Sequence, residues 1–499
     1  MNKRAMTGAW VALLSLAGLT ACGERPESPA PTTQSAAVQP PDLKPCDIPE
    51  LPTARCGTIE VPFDRAHPDA GTTPVGFALV PHTDHSGPAV GTVLTNPGGP
   101  GTGAIDMTGH FYADGLRPIL DKRDLLLIDP RGVGRSGAIR CPALEDLTRI
   151  FQSVDHQRAA IGECGRQLGA KAAYYGTAAV ADDFDAVRAA LGIDRVDLLG
   201  DSYGTYLMTT FVARHPEHVR SVVLSGAFPV NTADDPSGAV AIDAVRRGVG
   251  LVCERTSSCS GDVVLHDLAE LATELRTRPV NLDVAYQGKP HTVVLDEWQL
   301  AGTVGKIYSG AADVDTKVAL AKAVTAAHAG DLAPVADLVR THLVTKADTY
   351  ALGEDMVSEA MSWATTCHDY QHDFKLTDDV ETRKADFGKA LSSADNAKFA
   401  PFSPQAWLTR DDYDAGLCLD WPADPTAGSP FPPGTRLADV PVRVLAGDLD
   451  ANTSSASGRE TAAQFPRGHF IEVKGAGHTA TLSPEGAKLA MDFIAQNNP

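Results

Sequence analysis

The stretch that decides the fold is Val196-Asp197-Leu198-Leu199-Gly200-Asp201-Ser202-Tyr203-Gly204. It opens with a short run rich in Val and Leu that is typical of a buried strand, and residues 203–215 have a helical pattern that ends before a proline. Between them stands Gly-x-Ser-x-Gly, whose small residues allow a tight turn that exposes a nucleophilic serine. The sequence therefore predicts a strand, a sharp turn with Ser202 at its apex, and a helix.

The same alternation of strands and helices extends to both sides of this turn. A helical stretch over 177–191 precedes it and stops at a glycine. Repeated strand–helix–strand units predict an α/β fold with a mostly parallel sheet, helices on both faces and right-handed crossovers. The other strand-like runs lie at 91–95, 125–128, 221–224, 441–445 and 469–473.

The middle of the chain, residues 227–433, has a different character. It is rich in alanine, helix-like and short of strand runs. We interpret it as a large, mainly helical cap insertion over the carboxyl ends of the strands, where open α/β sheets bind ligands. The core would then consist of two parts, 46–226 and 434–499. The alternative is a separate domain that does not touch the site.

Two motifs after the late strands supply an acid and a base. They are Gly447-Asp448-Leu449-Asp450 and Gly477-His478. The order serine, acid, histidine is that of the α/β-hydrolase fold. We expect His478 to take the Ser202 proton and Asp450 to orient the imidazole, with Asp448 as the alternative acid.

A glycine-rich loop, Asn96-Pro97-Gly98-Gly99-Pro100-Gly101, follows an early strand. Its backbone N–H groups can point into the site, so we expect Gly98 or Gly99 to bind the oxyanion together with the N–H of Tyr203. A plain Pro/Gly turn is the alternative. The loop lacks the Gly-Lys-Ser/Thr of a phosphate-binding loop.

A further loop, Asp129-Pro130-Arg131-Gly132, also follows a strand. We predict that Arg131 and Asp129 pair with each other and brace the oxyanion loop, which is a supporting role rather than a chemical one.

Together these motifs resemble the proline iminopeptidase and tripeptidyl aminopeptidase branch of the α/β-hydrolases. The resemblance rests on residues 96–101, 129–136 and 200–204, and residues 447–453 and 475–478 are similar to the tripeptidyl aminopeptidase-like C-terminal region. It covers the chain from about residue 46 to the end. It implies a secreted serine exopeptidase that releases short N-terminal peptides or residues from peptides with a free N-terminus.

The resemblance also implies that acids of the cap bind the substrate α-ammonium. By charge and location the candidates are Asp369, Glu354 and Glu359. Two other functions stay open, because the same triad serves a carboxylesterase or a small-molecule biosynthetic hydrolase, and a triad-bearing fold can also serve binding or adhesion.

The N-terminus has the pattern of a targeting segment. A basic start precedes apolar residues 9–19, a run too short to span a bilayer, and residues 19–22, Leu-Thr-Ala-Cys, resemble a bacterial lipobox. We predict a lipoprotein signal peptide over 1–22, a lipidated Cys22 that holds the protein on the outer face of the bacterial cell membrane, and a disordered tether over 23–45. An ordinary signal peptide, with release to the medium, is the alternative.

The chain contains nine cysteines, which leaves eight after Cys22. An even number in an extracytoplasmic protein favours disulfides, although eight cysteines allow 105 pairings. We predict bonds between sequence neighbours: Cys46–Cys56, Cys141–Cys164, Cys253–Cys259 and Cys367–Cys418. Their spacing does not fit a metal site.

The charge balance limits the kinds of molecule that the protein is expected to bind. The chain has 43 Lys and Arg against 63 Asp and Glu, for a formal charge of −20. This acidity argues against nucleic acid, which requires clustered basic residues. We expect no metal, no cofactor and a monomer.

Overall fold

The computed structural model describes residues 41–232, 238–310, 313–410 and 414–497. The predicted signal peptide and the predicted lipidation at Cys22 lie outside these residues. No helix in the described ranges combines the length and the apolar character that crossing a bilayer requires. The predicted tether ends earlier than residue 45, because Lys44 and Pro45 already pair with a neighbouring strand.

Eleven strands lie in the described residues, nine in one sheet and two in a separate hairpin. Their bounds are β1 Lys44–Pro45, β2 Arg55–Pro62, β3 Thr72–Val80, β4 Thr92–Asn96, β5 Asp124–Ile128, β6 Val196–Asp201, β7 Val219–Ser225, β8 Val280–Tyr286, β9 Lys289–Leu295, β10 Val442–Gly447 and β11 Gly468–Val473.

The sheet has the spatial order β1-β2-β3-β5-β4-β6-β7-β10-β11. Strands β1, β2 and β3 are antiparallel to their neighbours. The other six strands of this sheet run parallel to one another, and they are β5, β4, β6, β7, β10 and β11. The prediction of an α/β-hydrolase fold with a mostly parallel sheet is confirmed. Strands β6, β7, β10 and β11 are adjacent, so the residues after them meet at one edge.

The described α-helices surround this sheet and fill the insertion. They are α1 Ala104–Met107, α2 Ala113–Leu116, α3 Pro142–Glu145, α4 Val154–Leu168, α5 Thr177–Ala190, α6 Tyr203–Arg214, α7 Ala239–Thr256, α8 Gly261–Thr277, α9 Glu297–Ser309, α10 Val314–His328, α11 Ala333–Tyr350, α12 Glu359–Asp369, α13 Val380–Ser393, α14 Asn396–Phe399, α15 Pro404–Leu408, α16 Asp414–Leu417, α17 Ser455–Ala463 and α18 Pro484–Gln496.

The insertion between β7 and β10 has two parts. Helices α7 to α11 and the β8–β9 hairpin contribute to a second hydrophobic core, which includes the buried Trp407. Helix α12 and the segment around Trp421 instead join the core on one face of the sheet. The insertion contains the two strands β8 and β9 as well as helices, and its second part shares a hydrophobic core with the sheet. Side chains of the hairpin alternate between buried and exposed, as Val293 is buried and Val294 is 49% exposed. This alternation is typical of a strand with one face in the core.

The disulfide prediction is confirmed. The four bonds join Cys46 to Cys56, Cys141 to Cys164, Cys253 to Cys259 and Cys367 to Cys418. The last bond ties α12 to the turn that follows α16, and so holds the second part of the insertion together.

Candidate active site

Ser202 sits at the turn between β6 and α6 with a φ of 55° and a ψ of −127°. A non-glycine residue in this region is strained by roughly 1–3 kcal/mol and persists only where its surroundings impose it. The two flanking glycines explain how they do so. A Cβ at Gly200 would lie 2.4 Å from the Gly204 oxygen, and a Cβ at Gly204 would lie 2.3 Å from the Asn96 oxygen. Only glycine fits both positions, so the turn must present the Ser202 side chain outward.

Asp450 and His478 are brought together at the same edge of the sheet. The Asp450 Oδ2 atom lies 2.9 Å from His478 Nδ1, and the carboxylate is fully buried. Its other oxygen accepts the backbone N–H groups of Asn452 at 2.8 Å and Thr453 at 3.1 Å. The Thr453 hydroxyl adds a bond of 2.8 Å to Oδ2 and lies 2.9 Å from the same ring nitrogen. This carboxylate can therefore fix the orientation and the tautomer of the imidazole.

Asp448, the alternative acid, has different partners. It forms an ion pair with Arg255 on α7 and accepts the N–H of Gly475 at 2.8 Å. It thus ties the insertion to the loop before His478 and makes no contact with the imidazole in the described residues.

The segment after His478 is hydrogen-bonded to the ends of β6 and β7, the two strands next to Ser202. Thr481 donates to the Asp201 carboxylate, which precedes Ser202, and lies 3.2 Å from the Ser225 hydroxyl. The Ser202 N–H donates to the Ser225 carbonyl at 2.9 Å. Burial raises the pKa of Asp201, and the hydrogen bond from Thr481 lowers it. Nucleophile and base are therefore held against one framework, the ends of β6 and β7.

The second imidazole nitrogen faces an amide in this structure. Asn452 Nδ2 lies 3.3 Å from His478 Nε2, the atom that is predicted to accept a proton from Ser202. In the described residues the imidazole bonds to Asp450, Thr453 and Asn452, and no bond joins it to Ser202. Catalytic hydrogen bonds are often unmade until substrate is bound, so this arrangement is compatible with a resting site.

The oxyanion loop approaches Ser202 closely. A Cβ at Gly98 would lie 3.4 Å from Ser202 Oγ. However, the Gly98 N–H donates to Asn96 Oδ1 at 3.0 Å, which takes it away from an oxyanion. Gly99 lines a small cavity together with Ser202 and Tyr203. Tyr203 begins α6, so its N–H has no partner within the helix. Gly99 and Tyr203 are thus the better placed pair of donors, and the prediction for Gly98 is not supported.

The predicted pairing of Arg131 with Asp129 is wrong. The buried Arg131 guanidinium binds both oxygens of Asp183 on α5, at 2.6 and 2.7 Å. Asp129 instead accepts the N–H of Ile105 and that of Arg135, each at 2.9 Å. Burial raises the pKa of Asp129 to about 7. Asp129 still braces the chain just after the oxyanion loop, but without the arginine, because backbone N–H groups already occupy both of its oxygens.

Two family models match the chain. One described as the alpha/beta hydrolase fold matches residues 91–294, and one described as TAP-like protein matches residues 405–494. The chain therefore has an α/β-hydrolase fold, and its C-terminal part is similar to the TAP-like family. The second match begins inside the insertion and runs through both the Asp450 and the His478 loops.

The hydrolase is similar to several curated proteins. It is 34% identical to serine protease Hip1 of Mycobacterium tuberculosis over 193 residues, which are 36% of each chain. It is 38% identical to carboxylesterase B of the same species over 197 residues, 36% of this chain and 37% of that one. It is 28% identical to the tripeptidyl aminopeptidase of Streptomyces lividans over 200 residues, 36% of each. These matches span about a third of the relatives' length.

Two of the three cap acids predicted for the substrate ammonium bond to other groups of the protein. Asp369 accepts the N–H of Thr177 at 2.6 Å, at the start of α5, and lies 2.7 Å from His368 Nδ1. Glu359 pairs with the buried Arg149 and accepts the indole N–H of Trp363 at 3.1 Å. Both residues are buried, and neither lines a cavity that reaches the oxyanion loop.

Glu354 is the exception among the three. Its side chain is 8% exposed, and its Oε2 atom has no hydrogen-bond partner in the described part of the chain. Burial raises its pKa to about 7, with a further contribution from the nearby Glu359. It does not line either cavity that reaches the oxyanion loop.

Two cavities of the hydrolase meet at the oxyanion loop and share Gly99 and Tyr370. The smaller, about 80 Å³, contains Ser202 and is also lined by Arg410 of the insertion. The larger, about 590 Å³, extends under α9 to α12. Its volume is that of a site for a small ligand or a short peptide. Its charged and titratable described residues are Lys306, Asp313, His342, Lys346, Tyr350 and Tyr370.

Sequence reasoning missed the contacts of Asn452 and Thr453 with the Asp450–His478 pair. Both residues stand directly after Asp450 in the sequence, so their position was a signal.

Proposed function

We propose that this serine hydrolase is an exopeptidase that releases residues or short peptides from the free N-terminus of peptide substrates. Ser202 is the nucleophile, His478 the general base and acid, and Asp450 the carboxylate that orients it. The observation that carries this proposal is the hydrogen bond between Asp450 and His478 at the sheet edge where Ser202 stands in a strained turn below a cap.

The chemistry follows from these positions. His478 Nε2 takes the Ser202 proton as Oγ attacks the substrate carbonyl, and the N–H groups of Tyr203 and Gly99 stabilise the oxyanion. His478 then protonates the leaving amine, and water hydrolyses the acyl-enzyme by the same route. The Asn452 amide must withdraw from Nε2 before the first step, because one lone pair cannot serve two donors.

The cavities support action near a chain end. The larger cavity begins at Gly99 and is roofed by the insertion, which favours a short segment over a long chain passing through. Among the described residues that line it, Asp313 alone carries a carboxylate. Its oxygens already cap α10 through Thr316, which fixes their direction. We propose Asp313, in place of Asp369, Glu354 and Glu359, as the group that meets the substrate ammonium.

The place of action is also part of the proposal. The four disulfides favour an oxidising compartment, and we propose that Cys22 is lipidated and holds a monomeric enzyme at the outer face of the cell membrane. Expression of Cys22→Ser would then move the enzyme from the membrane fraction to the medium. Equal membrane retention of both proteins would contradict the anchor.

The exopeptidase proposal is tested with paired anilides. Purified enzyme is assayed on mono-, di- and tripeptidyl anilides with free and acetylated N-termini, and on short acyl esters, beside Ser202→Ala. We expect N-acetylation to lower kcat/KM by about 100-fold or more, since an ammonium lost from a charged pocket leaves its partner unpaired. Ser202→Ala should lose nearly all turnover.

The carboxylesterase is the second candidate, favoured by the 38% identity to carboxylesterase B. Turnover of esters with no turnover of any anilide would establish it and refute the peptidase. Equal turnover of free and acetylated anilides would refute the exopeptidase and leave an endopeptidase. Asp313→Asn separates these further, because only the exopeptidase proposal expects a raised KM for free N-termini and no change for esters.

A further inference from the structure

The cap holds the backbone of the oxyanion loop just beyond Gly99. The Gly101 carbonyl accepts the N–H of Ser358 at 2.7 Å, and the Gly103 N–H donates to the carbonyl of Met356 at 2.9 Å. Both partners belong to the segment of the insertion that leads into α12. The loop and this segment pair in antiparallel fashion, so a displacement of this part of the cap would displace the loop as well.

A side chain of α12 completes this attachment. The Gly101 N–H donates to Ser362 Oγ at 3.1 Å, so both backbone polar groups of Gly101 are bonded to the cap. The approach requires glycine at this position. A Cβ at Gly101 would collide with the Ser358 carbonyl oxygen and would lie 2.7 Å from Ser362 Oγ.

This attachment lies close to Gly99, the better placed oxyanion donor of the loop. A Cβ at Gly99 would lie 2.6 Å from the Thr102 nitrogen and 2.8 Å from the Gly101 nitrogen, so the loop is folded tightly on itself. On the other side of Gly99, the Gly98 N–H is bonded to Asn96 at the end of β4. The direction of the Gly99 N–H is therefore set by the sheet on one side and by the cap on the other.

The Ser362 side chain has two conceivable roles at this place. It lines the larger cavity, where it could contact the substrate directly, and it accepts the Gly101 N–H, through which it orients the loop. A contact made equally in the bound substrate and in the transition state changes KM, whereas an oriented oxyanion donor changes kcat. The hydrogen bond to Gly101 favours the second role.

We propose that Ser362 is a positioning residue that fixes the oxyanion loop, so that the cap takes part in directing the Gly99 N–H. Ser362 acts through the backbone of Gly101 rather than on the reacting atoms. This inference rests on the proposed serine-hydrolase mechanism. It applies to a peptide and to an ester substrate alike, since both reactions pass through an oxyanion.

The test compares variants that remove this contact with one that removes a similar contact elsewhere on α12. Ser362→Ala deletes the acceptor, Ser362→Thr keeps a hydroxyl at the same position, and Gly101→Ala forces the loop and the cap apart. Thr365→Val is the matched control, because the Thr365 hydroxyl donates to the carbonyl of Tyr175 at 2.9 Å and so also ties α12 to the core. For each protein, kcat and KM are measured on the anilide or ester that wild type turns over fastest.

Reversible inhibition by a trifluoromethyl ketone provides a second readout. Ser202 Oγ forms a bond to the ketone carbon, the serine proton passes to His478, and the electron pair of the broken C=O π bond makes the oxygen an oxyanion. The inhibition constant therefore reports the oxyanion loop without a leaving group. The pH profile of kcat is recorded as well, and its acid limb should be the same in all variants, since the imidazole is not altered.

We expect Ser362→Ala to lower kcat by about tenfold with KM within about twofold of wild type, and to weaken ketone binding by a similar factor, because an oxyanion donor acts in the transition state. Gly101→Ala should lower kcat by about 100-fold or more, since it displaces the loop further. Ser362→Thr should recover most of the loss. Thr365→Val should lower the urea midpoint of unfolding but keep kcat and KM within about twofold of wild type.

An unchanged kcat in folded Ser362→Ala or Gly101→Ala would overturn the inference, as would an equal loss of kcat in Thr365→Val. A raised KM with an unchanged kcat would overturn it in favour of a direct contact with substrate. If Ser362→Ala does not fold, Gly101→Ala gives the same comparison from the side of the loop.

The outcomes for wild type separate this inference from the proposed function. If wild type binds the ketone and turns over esters but no anilide, only the exopeptidase proposal is refuted, and the variants are compared on esters. If wild type shows neither ketone binding nor any turnover, the proposed role of Ser202 is refuted, and the inference with it.

Discussion

At the scale of single residues, two aspartates separated by one leucine have opposite roles. Asp450 faces the imidazole and is bonded by Asn452 and Thr453, whereas Asp448 faces Arg255. Both carboxylates are buried, so burial does not distinguish them. Their partners do, because only a carboxylate on the ring nitrogen can set the tautomer of the imidazole.

This difference predicts that substitutions at Asp450 and Asp448 affect kcat and stability differently. Asp450→Asn should lower kcat by about 10³–10⁴-fold with little loss of stability, because the amide stabilises the wrong tautomer. Asp448→Asn should keep kcat within about tenfold but lower the free energy of unfolding by about 1–3 kcal/mol, since it weakens the partner of Arg255. Steady-state kinetics and urea unfolding of the two variants check this. A larger kcat loss in Asp448→Asn would reverse the assignment.

Glu354 gives a second prediction at this scale, from its raised pKa of about 7. Below pH 4.5 the carboxyl is protonated in both the folded and the unfolded chain. Between pH 4.5 and 7 this carboxyl is ionised in the unfolded chain but still protonated in the folded chain, so the free energy of unfolding falls as the pH rises. Glu354→Gln should therefore match wild type near pH 4.5 and exceed it at pH 8 by up to about 3 kcal/mol.

Glu359→Gln is the matched control for Glu354→Gln. Glu359 is equally buried but is paired with Arg149, so its substitution should destabilise the protein at both pH values. Urea midpoints at pH 4.5 and pH 8 provide the measurement. A Glu354→Gln variant that is less stable than wild type at pH 8 would show that the carboxylate has a favourable role.

At the scale of elements, the disulfides differ in how much chain they close. Cys367–Cys418 spans 51 residues and ties α12 to the turn after α16, while Cys253–Cys259 spans only 6. In the chain-entropy account, a bond stabilises by restricting the unfolded chain, and more so for a longer loop. The longer bond should therefore matter more, although both lie in the insertion.

Replacing both cysteines of one bond by serine tests this difference. We expect a loss of about 4 kcal/mol without Cys367–Cys418 and of about 2 kcal/mol without Cys253–Cys259. Guanidinium unfolding of the two double variants measures both. The larger loss should also raise KM, because α12 carries Trp363 and Thr366 of the larger cavity. Equal losses would place the stabilisation in local packing instead.

At the scale of the whole molecule, the cap and the core share hydrophobic contacts. Trp421 lies in the insertion but belongs to the cluster that covers one face of the sheet, and Trp407 belongs to the separate cluster of α7 to α11. The bonds of Tyr308 and Gly310 to the Asp450 and His478 loops add a second connection. Residues 40–499 form one compact unit. We therefore expect the cap and the core to unfold together.

Tryptophan reporters can test this cooperativity. Urea unfolding is followed by fluorescence in wild type, Trp407→Phe and Trp421→Phe. Subtracting the signal of each variant from that of wild type gives the contribution of the missing tryptophan, and so of its cluster. Both changes should share one midpoint and coincide with the loss of far-UV circular dichroism, as in a two-state transition. A lower midpoint for Trp407 would show that the cap core melts independently.

The sequence by itself determined the parallel part of the sheet and the turn at Ser202, and it suggested the cysteine pairing that the structure shows. These features depend on local patterns, because Gly200 and Gly204 permit one backbone path and buried runs of Val and Leu form parallel strands. The order of Ser202, Asp450 and His478 was readable for the same reason, since each follows a strand.

Only the tertiary structure decided which polar groups face each other. In the structure Arg131 pairs with Asp183 rather than Asp129, and the Gly98 N–H is bonded within its own loop. The carboxylates of Asp369 and Glu359 are bonded within the protein. A charged side chain reaches several partners of equal chemistry, and the packing of distant helices selects among them. Periodicity and spacing carry no information on that choice.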